Sequence, residues 1–300
     1  MRKRIAYISF PTEHGNTPDV LSSQKVLDGL NVRFSATIHS QVGIPGEARI
    51  EVYNLNRKDL QFLSTSAATW AQKQTLFQLY AGYEGDVKMI YSGQIMEAIP
   101  ESYPDVILSI RGIADVKWLG HNMEFQKSKV TVMDLIDTAA QEMGYPVNID
   151  DRLRANNSLL NKSIDDISFQ GSPMELLEKA QSMMGGVSGD PQTVFLNTSN
   201  GEINIWSPSI QSSATKLYIS KETGMIGLPQ PTGTGCDVKI LMNNGIKIGD
   251  LVQVQSERIE ILNTDYYVIA ITHEGELRGN NWYSTLKCAR VSNYKSNKNE

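Results

Sequence analysis

The sequence predicts an α+β protein that is mainly β, in which two β domains flank a small domain with two helices. Apolar and polar residues alternate in segments of the first 115 residues and again after residue 215, the pattern of half-buried strands. Between these regions, apolar residues recur at three- and four-residue spacing, the pattern of amphipathic helices. The chain has 300 residues, of which 40% are hydrophobic, so it is long enough for two or three compact units.

The first region, residues 1–115, is predicted to consist mostly of strands. Its alternating segments are separated by turns that contain glycine and proline, as in sandwiches and small barrels. One break in the alternation, with apolar residues at helical spacing, predicts a short helix. The expected strands cover residues 32–38, 48–52, 75–83, 87–95 and 106–113, and the expected helix covers residues 60–67.

Two amphipathic helices are predicted in the middle region. The first begins after Thr131, which forms a capping-box pattern with Asp134, and it ends at Gly144. The second begins after Ser172, which is followed by proline and, three residues on, by glutamate. A pair of glycines at residues 185–186 is expected to end it.

A hairpin is predicted to close the middle domain, residues 116–214, and a second β domain follows. The hairpin has strands over residues 193–196 and 202–206, joined by a five-residue loop. The second β domain is expected over residues 215–291 and a flexible tail over residues 292–300, with strands at 238–242, 252–254, 267–271 and 282–288.

Composition and charge exclude several classes of protein. The formal net charge of -5 and the pI near 5.5 disfavour binding to nucleic acid through a basic face. No apolar run reaches the roughly 18 residues of a membrane-spanning helix. The basic start, Met1–Arg4, is not followed by the rest of an export signal, so none is expected.

Cysteine is too sparse for a disulfide framework or a cysteine-based zinc site, because only Cys236 and Cys288 are present. Both lie in predicted strands. We expect both to remain thiols in a reducing cytosol, and a bridge between neighbouring strands stays open as the alternative.

No catalytic, cofactor-binding or metal-binding residue is predicted, and no cofactor is expected. The four histidines are scattered, and none has a second possible ligand at metal spacing except His273, near Glu274 and Glu276. This spacing does not match the known zinc-binding patterns. The other three histidines are His14, His39 and His121.

Two adjacent acid pairs, Asp150–Asp151 and Asp165–Asp166, are candidates for acid–base chemistry of the kind used in glycoside hydrolysis. Neighbouring side chains usually point apart, so we expect each pair to be solvated in a loop near a helix start. Ser188 lies among glycines, but their spacing does not match a nucleophile elbow. Residues Gly233–Gly235 lack the rest of a dinucleotide-binding motif.

The tryptophans offer flat rings that a carbohydrate or a partner protein could contact. Burial in a core is the favoured interpretation, most clearly for Trp282, which alternates with polar neighbours in a predicted strand. The other tryptophans are Trp70, Trp118 and Trp206.

Three sets of segments, in the same order along nearly the whole chain, carry a family resemblance. They are residues 46–55 (GEARIEVYNL), 79–83 and 90–95; residues 167–177 (ISFQGSPMELL) through 185–186; and residues 223–229, 241–250 (LMNNGIKIGD), 267–268, 273–275 and 282–285. Together they resemble the baseplate hub proteins of contractile bacteriophage tails, including the late control protein D group, and the similar base of type VI secretion spikes.

The resemblance implies a homotrimer in which each chain contributes two tube-type, β-barrel-like domains, so that three copies present six similar faces to a six-fold tail tube. It also implies binding to the tail tube protein and the central spike protein, and contacts with the tape-measure protein and baseplate wedge proteins. DNA would pass through the lumen without specific binding. The protein would be a structural, non-enzymatic component of the virion baseplate, made in the host cytoplasm.

Two other functions stay open as alternatives. The acid pairs and the tryptophans fit a peptidoglycan hydrolase or a carbohydrate-binding module of a tail. The resemblance also fits the spike base of a secretion system.

Overall fold

A computed structural model describes residues 3–10, 30–68, 75–102, 104–184, 194–207 and 216–291. Most of the described residues are in strands, as the sequence predicts. The first region contains β1 (Arg4–Ser9), β2 (Val32–His39), β3 (Glu47–Tyr53), α1 (Arg57–Ala68), β4 (Leu76–Tyr83), β5 (Asp86–Ser102) and β6 (Val106–Ile113).

The middle region combines short helices with short strands. Its elements are α2 (Val116–Leu119), β7 (Met123–Thr131), α3 (Val132–Met143), β8 (Val147–Ile149), α4 (Asp151–Asn156), β9 (Ser163–Gly171), α5 (Pro173–Met183), β10 (Phe195–Ser199) and β11 (Glu202–Trp206).

The last region returns to strands. Its elements are β12 (Leu217–Ile219), β13 (Gln230–Pro231), β14 (Gly235–Leu241), β15 (Leu251–Val254), a 3-10 helix at Glu260–Leu262, β16 (Asp265–Glu276) and β17 (Trp282–Arg290). The predicted tail at residues 292–300 lies outside the described residues.

One sheet unites the first and last regions. Its strand order is β1-β4-β5-β6-β3-β2-β16-β17-β14-β13, with β12 and β15 attached beside the start of β16. The two regions meet where β2 pairs with β16 in antiparallel register, from His39 opposite Ala270 to Arg33 opposite Glu276. Within the described residues this sheet stays open, so one chain does not form the closed barrels that "barrel-like" would suggest.

Strand pairing shows how the two similar β domains that the family resemblance implied repeat each other. The series β2, β3, β4, β5, β6 and the series β13, β14, β15, β16, β17 have the same pairing pattern: the second strand pairs with the first and the fifth, and the fourth pairs with the third and the fifth. In each series the fourth strand is long and changes partner along its length. A bulge lies near that change, at Ile95–Glu97 in β5 and at Val268–Ala270 in β16.

Each region nevertheless has a hydrophobic core of its own. The first core lies behind β2, β3 and β6, the last lies behind β14, β16 and β17, and the middle region has a separate core between α3, α5 and the β10–β11 hairpin. The predicted domain limits stay a prediction, because the outer regions share a sheet and Met242 and Trp282 of the last region pack in the first core.

The predicted helices of the middle region are confirmed, together with their capping boxes. Thr131 caps α3 with Asp134, and Gly144 ends that helix in the left-handed conformation. Ser172 caps α5 in the same way, with Glu175 as the partner. The glycines expected to end α5, at residues 185–186, lie outside the described residues.

Two details of the middle region differ from the prediction. The β10–β11 hairpin turns on two residues, Asn200 and Gly201, both with positive φ, rather than on five. The two-stranded ribbon of β7 and β9 was not predicted, because polar residues at 126–129 and 165–166 interrupt the short alternations around Phe125 and Ile167–Phe169. No helix among the described residues is long and apolar enough to cross a membrane.

Gly275 lets two aromatic rings contact each other across the β2–β16 pairing, which we call the joint of the sheet. It lies in β16 between Phe34 of β2 and Trp282 of β17, whose ring centroids are 5.7 Å apart in an edge-to-face arrangement. A Cβ at this position would contact both rings, with Trp282 Cζ3 only 2.9 Å away. Only glycine fits here without displacing an aromatic side chain.

We therefore expect Gly275→Ala to lower the free energy of unfolding by about 1–3 kcal/mol, because the added methyl group overpacks the joint. Urea denaturation followed by tryptophan fluorescence measures the change. Gly120→Ala is the matched control, since a Cβ there enters open space. An equal effect of both substitutions would contradict the packing argument.

Candidate assembly surface

One face of the shared sheet carries polar side chains across seven strands. It runs from the second half of β5 through β6, β3, β2, β16 and β17 to β14, and we call it the polar face. In β2 and β3 the apolar residues of the alternation are buried in the first core, whereas the polar residues between them are exposed or half-buried. Because the strands are in register, the polar residues of neighbouring strands line up in rows.

On the polar face, ion pairs link charged side chains of neighbouring strands. Arg33 of β2 lies between two carboxylates: its Nη1 is 3.4 Å from Oε2 of Glu51 in β3, and its Nε is 2.8 Å from Oε1 of Glu276 in β16. One guanidinium thus spans the joint between the two halves of the sheet. The hydroxyl of Tyr53 also donates to Glu51, at 2.9 Å.

A second cluster lies on β3 and β6, where Glu47 accepts hydrogen bonds from Arg49 at 3.1 Å and from Arg111 at 3.0 Å. Partial burial acts to raise the pKa of Glu47, but the hydrogen bonds from the two arginines outweigh it and hold that pKa below its usual range. Glu47 therefore stays ionised and both arginines keep a carboxylate partner.

Contacts between polar side chains also continue across the joint into the last region. The Thr37 and Thr272 hydroxyls, opposite each other in β2 and β16, are 3.0 Å apart. Lys239 of β14 lies 3.6 Å from Glu274 and over the ring of Tyr283, with its Nζ 4.5 Å from the ring centroid.

Acidic side chains outnumber basic ones on the polar face. Register places five basic and seven acidic residues on it: Arg33, Arg49, Arg111, Lys239 and Lys287, against Glu47, Glu51, Glu97, Glu101, Asp237, Glu274 and Glu276. Four of the five cations have a carboxylate partner within 4 Å among the described residues. The face is thus slightly acidic, and most of its cations are already neutralised.

Among the described residues, each end of the polar face has one strand edge without a partner strand: one edge of the second half of β5, and the outer edge of β13. At one end, residues 97–102 of β5 pair with β6 on one edge only. At the other end, residues 224–231 cover the outer edge of β14 through β13 and through bonds between Ile226 and Lys239 and between Leu241 and Gly224. An unpaired edge is a template for pairing with another strand.

Exposed apolar side chains also concentrate near these ends. Ile99 in β5 is 53% exposed, and Leu228 beside β13 is 46% exposed. Of the nine exposed large hydrophobic residues in the described part of the chain, six lie in the last region, namely Leu217, Tyr218, Ile226, Leu228, Leu241 and Ile261. A cleft of about 670 Å³ opens next to Ile226 and Leu228. Such a patch is typical of a contact surface for another protein.

The structure does not assemble the histidines into a site. His39 ends β2 on the polar face, where burial first and Lys287 second lower its pKa. His121 is exposed and 2.6 Å from Glu142. His273 is buried, which lowers its pKa to about 4, and it points away from Glu274 and Glu276, while its Nδ1 lies 2.8 Å from Ser284 Oγ. Among the described residues, no group of three or more possible ligands could hold a metal ion. His14 lies outside them.

The acid pairs have different local roles. Asp150 caps α4 as expected for a helix start, and its hydrogen bonds with Arg152 lower its pKa to about 2. Asp165–Asp166 lie in the middle of β9, not near a helix start, so that expectation is wrong for this pair. Gly233–Gly235 form the turn between β13 and β14. Ser188 lies outside the described residues.

Burial of the tryptophans is confirmed wherever the chain is described. Trp118, Trp206 and Trp282 are each less than 9% exposed, and Trp206 stacks on Phe195 at the contact between the hairpin and the last region. They do not offer flat rings to a carbohydrate. Trp70 lies outside the described residues.

The sequence analysis did not identify the polar face as a site. Its residues are visible in the sequence as the polar half of each alternation, but that half is usually interpreted as solvated surface. Only the register, which brings Arg33 between residues from distant parts of the chain, shows that they form one surface.

Comparison with solved structures identifies the same fold in tail proteins. The 43 kDa tail protein of prophage MuSo2 from Shewanella oneidensis aligns with a TM-score of 0.61 at 11% identity, covering 97% of this chain and 99% of that one. A tail protein from Neisseria meningitidis MC58 aligns with a TM-score of 0.62 at 8% identity, again covering 97% and 99%. At such identities the likeness shows the fold alone.

A third structure connects the fold with secretion systems. The E. coli c3393 protein, described as a component of the type VI secretion system with structural similarity to the T4 tail proteins gp27 and gp5, aligns with a TM-score of 0.56 at 10% identity. The alignment covers 90% of this chain and 77% of that one.

The sequence itself matches one family over most of its length. A search of curated proteins gave no match. The family model described as baseplate hub gp41, however, matches residues 16–288. The protein therefore belongs to the baseplate hub gp41 family and has a structural role in a phage tail baseplate.

Proposed function

We propose that this hub is a homotrimer that adapts a six-fold tail tube to a three-fold central spike and leaves a lumen for DNA. The observation that carries the proposal is the duplicated sheet. The two halves contribute strands to the polar face in equivalent order, β5-β6-β3-β2 and then β16-β17-β14, with β13 at the outer edge of β14. Three copies would place six such units around one axis, which is the symmetry that a six-fold ring requires.

The joint within one chain indicates how neighbouring chains would join. Because β2 and β13 are equivalent in the duplication, as are β5 and β16, the β2–β16 pairing has a counterpart between β13 of one copy and β5 of the next. Those are the two ends that have no partner strand in the described residues. Pairing them head to tail would close a ring after three copies and cover both edges.

The register of the duplication specifies which residues would meet. Ala48 and Cys236 occupy equivalent positions, so Thr37 corresponds to Thr232 and Thr272 corresponds to Ile99. Since Thr37 lies opposite Thr272 within the chain, Thr232 of one copy should lie opposite Ile99 of the next. This contact would cover the apolar side chain of Ile99.

The charge of the polar face suits a lumen through which DNA moves. DNA-binding surfaces offer free lysine and arginine side chains to phosphates. On this face most cations already have carboxylate partners, and the surplus charge is negative, so phosphates would find few available cations. We therefore propose that the polar face lines the lumen and lets DNA pass without specific binding.

The remaining partners and the absence of catalysis belong to the same proposal. The exposed apolar residues of the last region, around Ile226 and Leu228, are available for contact with the tube, the spike, the tape-measure protein or wedge proteins. A structural family supports a non-enzymatic role in the virion. The fold is equally compatible with a secretion-system spike base, but the hydrolase alternative has no assembled acid pair to support it.

A cysteine pair tests the ring directly. In a chain with Cys236→Ala and Cys288→Ala, the substitutions Ile99→Cys and Thr232→Cys should cross-link neighbouring copies on mild oxidation, because the two side chains would face each other across the subunit contact. Denaturing electrophoresis should show covalent trimers and nothing larger, since the ring closes after three copies.

The control replaces Ile99→Cys by Ile44→Cys, which is also exposed but lies in the turn before β3. This pair should leave the chain uncross-linked. Long cross-linked ladders would indicate an open filament, and a strictly monomeric chain in light scattering would contradict the trimer.

A second experiment tests the charge of the lumen. Replacing Glu47, Glu51, Glu274 and Glu276 by glutamine leaves four cations without carboxylate partners, so we expect the variant to bind duplex DNA and to lose that affinity steeply with salt. The wild-type protein should bind little at about 0.15 M salt. Fluorescence anisotropy with labelled DNA measures both.

A charge-matched variant separates the polar face from net charge. It carries glutamine at Glu84, Glu142, Glu202 and Glu222, which lie elsewhere on the surface. Equal DNA binding by both variants would mean that overall charge, and not the polar face, controls the interaction. Strong binding by the wild-type protein would contradict free passage.

A further inference from the structure

We propose that Cys236 and Cys288 are a redox pair that forms a reversible cross-strand disulfide between β14 and β17. The two residues are directly opposite each other in the antiparallel register and both are thiols. This site does not depend on the trimer, because both cysteines lie in one chain. The alternative that the sequence left open, a bridge between neighbouring strands, thus has a specific location.

Backbone hydrogen bonds define the geometry of the pair. Met242 N–H donates to Trp282 O, and Arg290 N–H donates to Thr234 O, so both of these opposed pairs are of the hydrogen-bonded type. Hydrogen-bonded pairs recur at every second residue, and Cys236 lies six residues from Met242. Cys236 and Cys288 are therefore a hydrogen-bonded pair, whose Cα atoms are typically about 5.5 Å apart.

That Cα separation permits a disulfide, but the bond would be slightly strained. Cα distances of roughly 4.4–6.8 Å are compatible with a bridge, whereas the Cβ atoms of such opposed pairs are often about 1 Å farther apart than a relaxed disulfide requires. The strands must approach slightly when the bond forms. A bridge at this position should consequently be easier to reduce than a relaxed structural disulfide.

The surroundings assign different roles to the two sulfur atoms. A hydrogen bond with the Cys288 side chain lowers the pKa of Cys236, and the Tyr266 hydroxyl and Arg290 act in the same direction. The same hydrogen bond, together with burial, raises the pKa of Cys288. Cys236 is thus the better nucleophile, and Cys288 is the resolving thiol.

The fold itself does not require sulfur at these positions. In the duplicated first half, the equivalent residues are Ala48 and Gly112, which lie opposite each other in β3 and β6. Both are buried, as the cysteines are, so small side chains pack well at this level of the sheet. The cysteine pair is therefore an addition to the last half rather than a packing necessity.

The chemistry needs an external oxidant, and a small disulfide such as oxidised glutathione is sufficient. The Cys236 thiol loses its proton, and the thiolate attacks one sulfur of the oxidant and releases one reduced glutathione. The Cys288 thiolate, after losing its own proton, then attacks Cys236 in the mixed disulfide and releases the second. Both sulfurs are buried, so the oxidant must enter when β14 opens locally.

Local opening of β14 is physically reasonable because this strand lies near the end of the sheet. Among the described residues, its outer edge is bonded to the two residues of β13 and to residues 224–226. Once formed, the bridge would fasten β14 to β17 and close a covalent loop between residues 236 and 288. The disulfide would thus reinforce one end of the sheet.

The experiment treats the folded full-length chain with oxidised glutathione in native buffer, then labels the remaining thiols under denaturing conditions. Mass spectrometry should show loss of both labels, no retained glutathione, and a cross-linked peptide that joins residues 236 and 288. Reduced glutathione should restore both labels. The melting temperature of the oxidised chain should be a few degrees higher than that of the reduced chain.

Two variants distinguish this pair from general oxidation. Cys288→Ala should accumulate a mixed disulfide at Cys236, whereas Cys236→Ala should react at least tenfold more slowly at Cys288. Full labelling of both thiols after oxidation, or a bridge that forms only in denaturant or only between chains, would overturn the proposal. Equal rates in the two variants would overturn the assignment of Cys236 as the nucleophile.

Discussion

Seven residues of β16 pair with β2, and this short antiparallel ladder joins strands that are more than 220 residues apart in the sequence. Around it, Gly275 leaves room for Phe34 and Trp282 to meet, and Arg33 binds carboxylates on both sides. Without this ladder, the first and last regions would be two separate sheets with four unpaired edges. With it, they become one surface with two ends, and the orientation of each half is determined by the other.

Because of the duplication, the β2–β16 ladder within one chain is also a model for pairing between chains. Two halves that have the same strand order, the same bent fourth strand and a bulge near the same point are joined as if they were neighbours in a ring. A contact that is already built within the chain can be repeated between chains by equivalent strands. The proposed ring would use this contact between chains, whereas the solved tail proteins, at 11% and 8% identity, show the fold alone.

The two sides of the shared sheet serve different purposes. On one side, aliphatic and aromatic residues form two cores, and Met242 and Trp282 of the last region pack in the first of them. On the other side, carboxylates and guanidinium groups pair across strands, each pair adding little stability because it is partly exposed. Their main effect is electrostatic, because they leave few cations of the polar face without a carboxylate partner. The middle region contacts the last region through the Phe195–Trp206 stack and Tyr267.

Local patterns in the sequence determined most individual elements. Alternation located β2, β3, β6, β14 and β17, and the capping boxes at Thr131 and Ser172 located α3 and α5, because periodicity and capping depend on residues close in sequence. The ribbon of β7 and β9 was missed because runs of polar residues interrupt its alternation. The β2–β16 joint and the polar face were decided only by the tertiary structure, as was the strand pairing of the two similar β domains that the family resemblance implied. Strand pairing uses backbone groups common to all residues, so side-chain patterns identify a strand but not its distant partner.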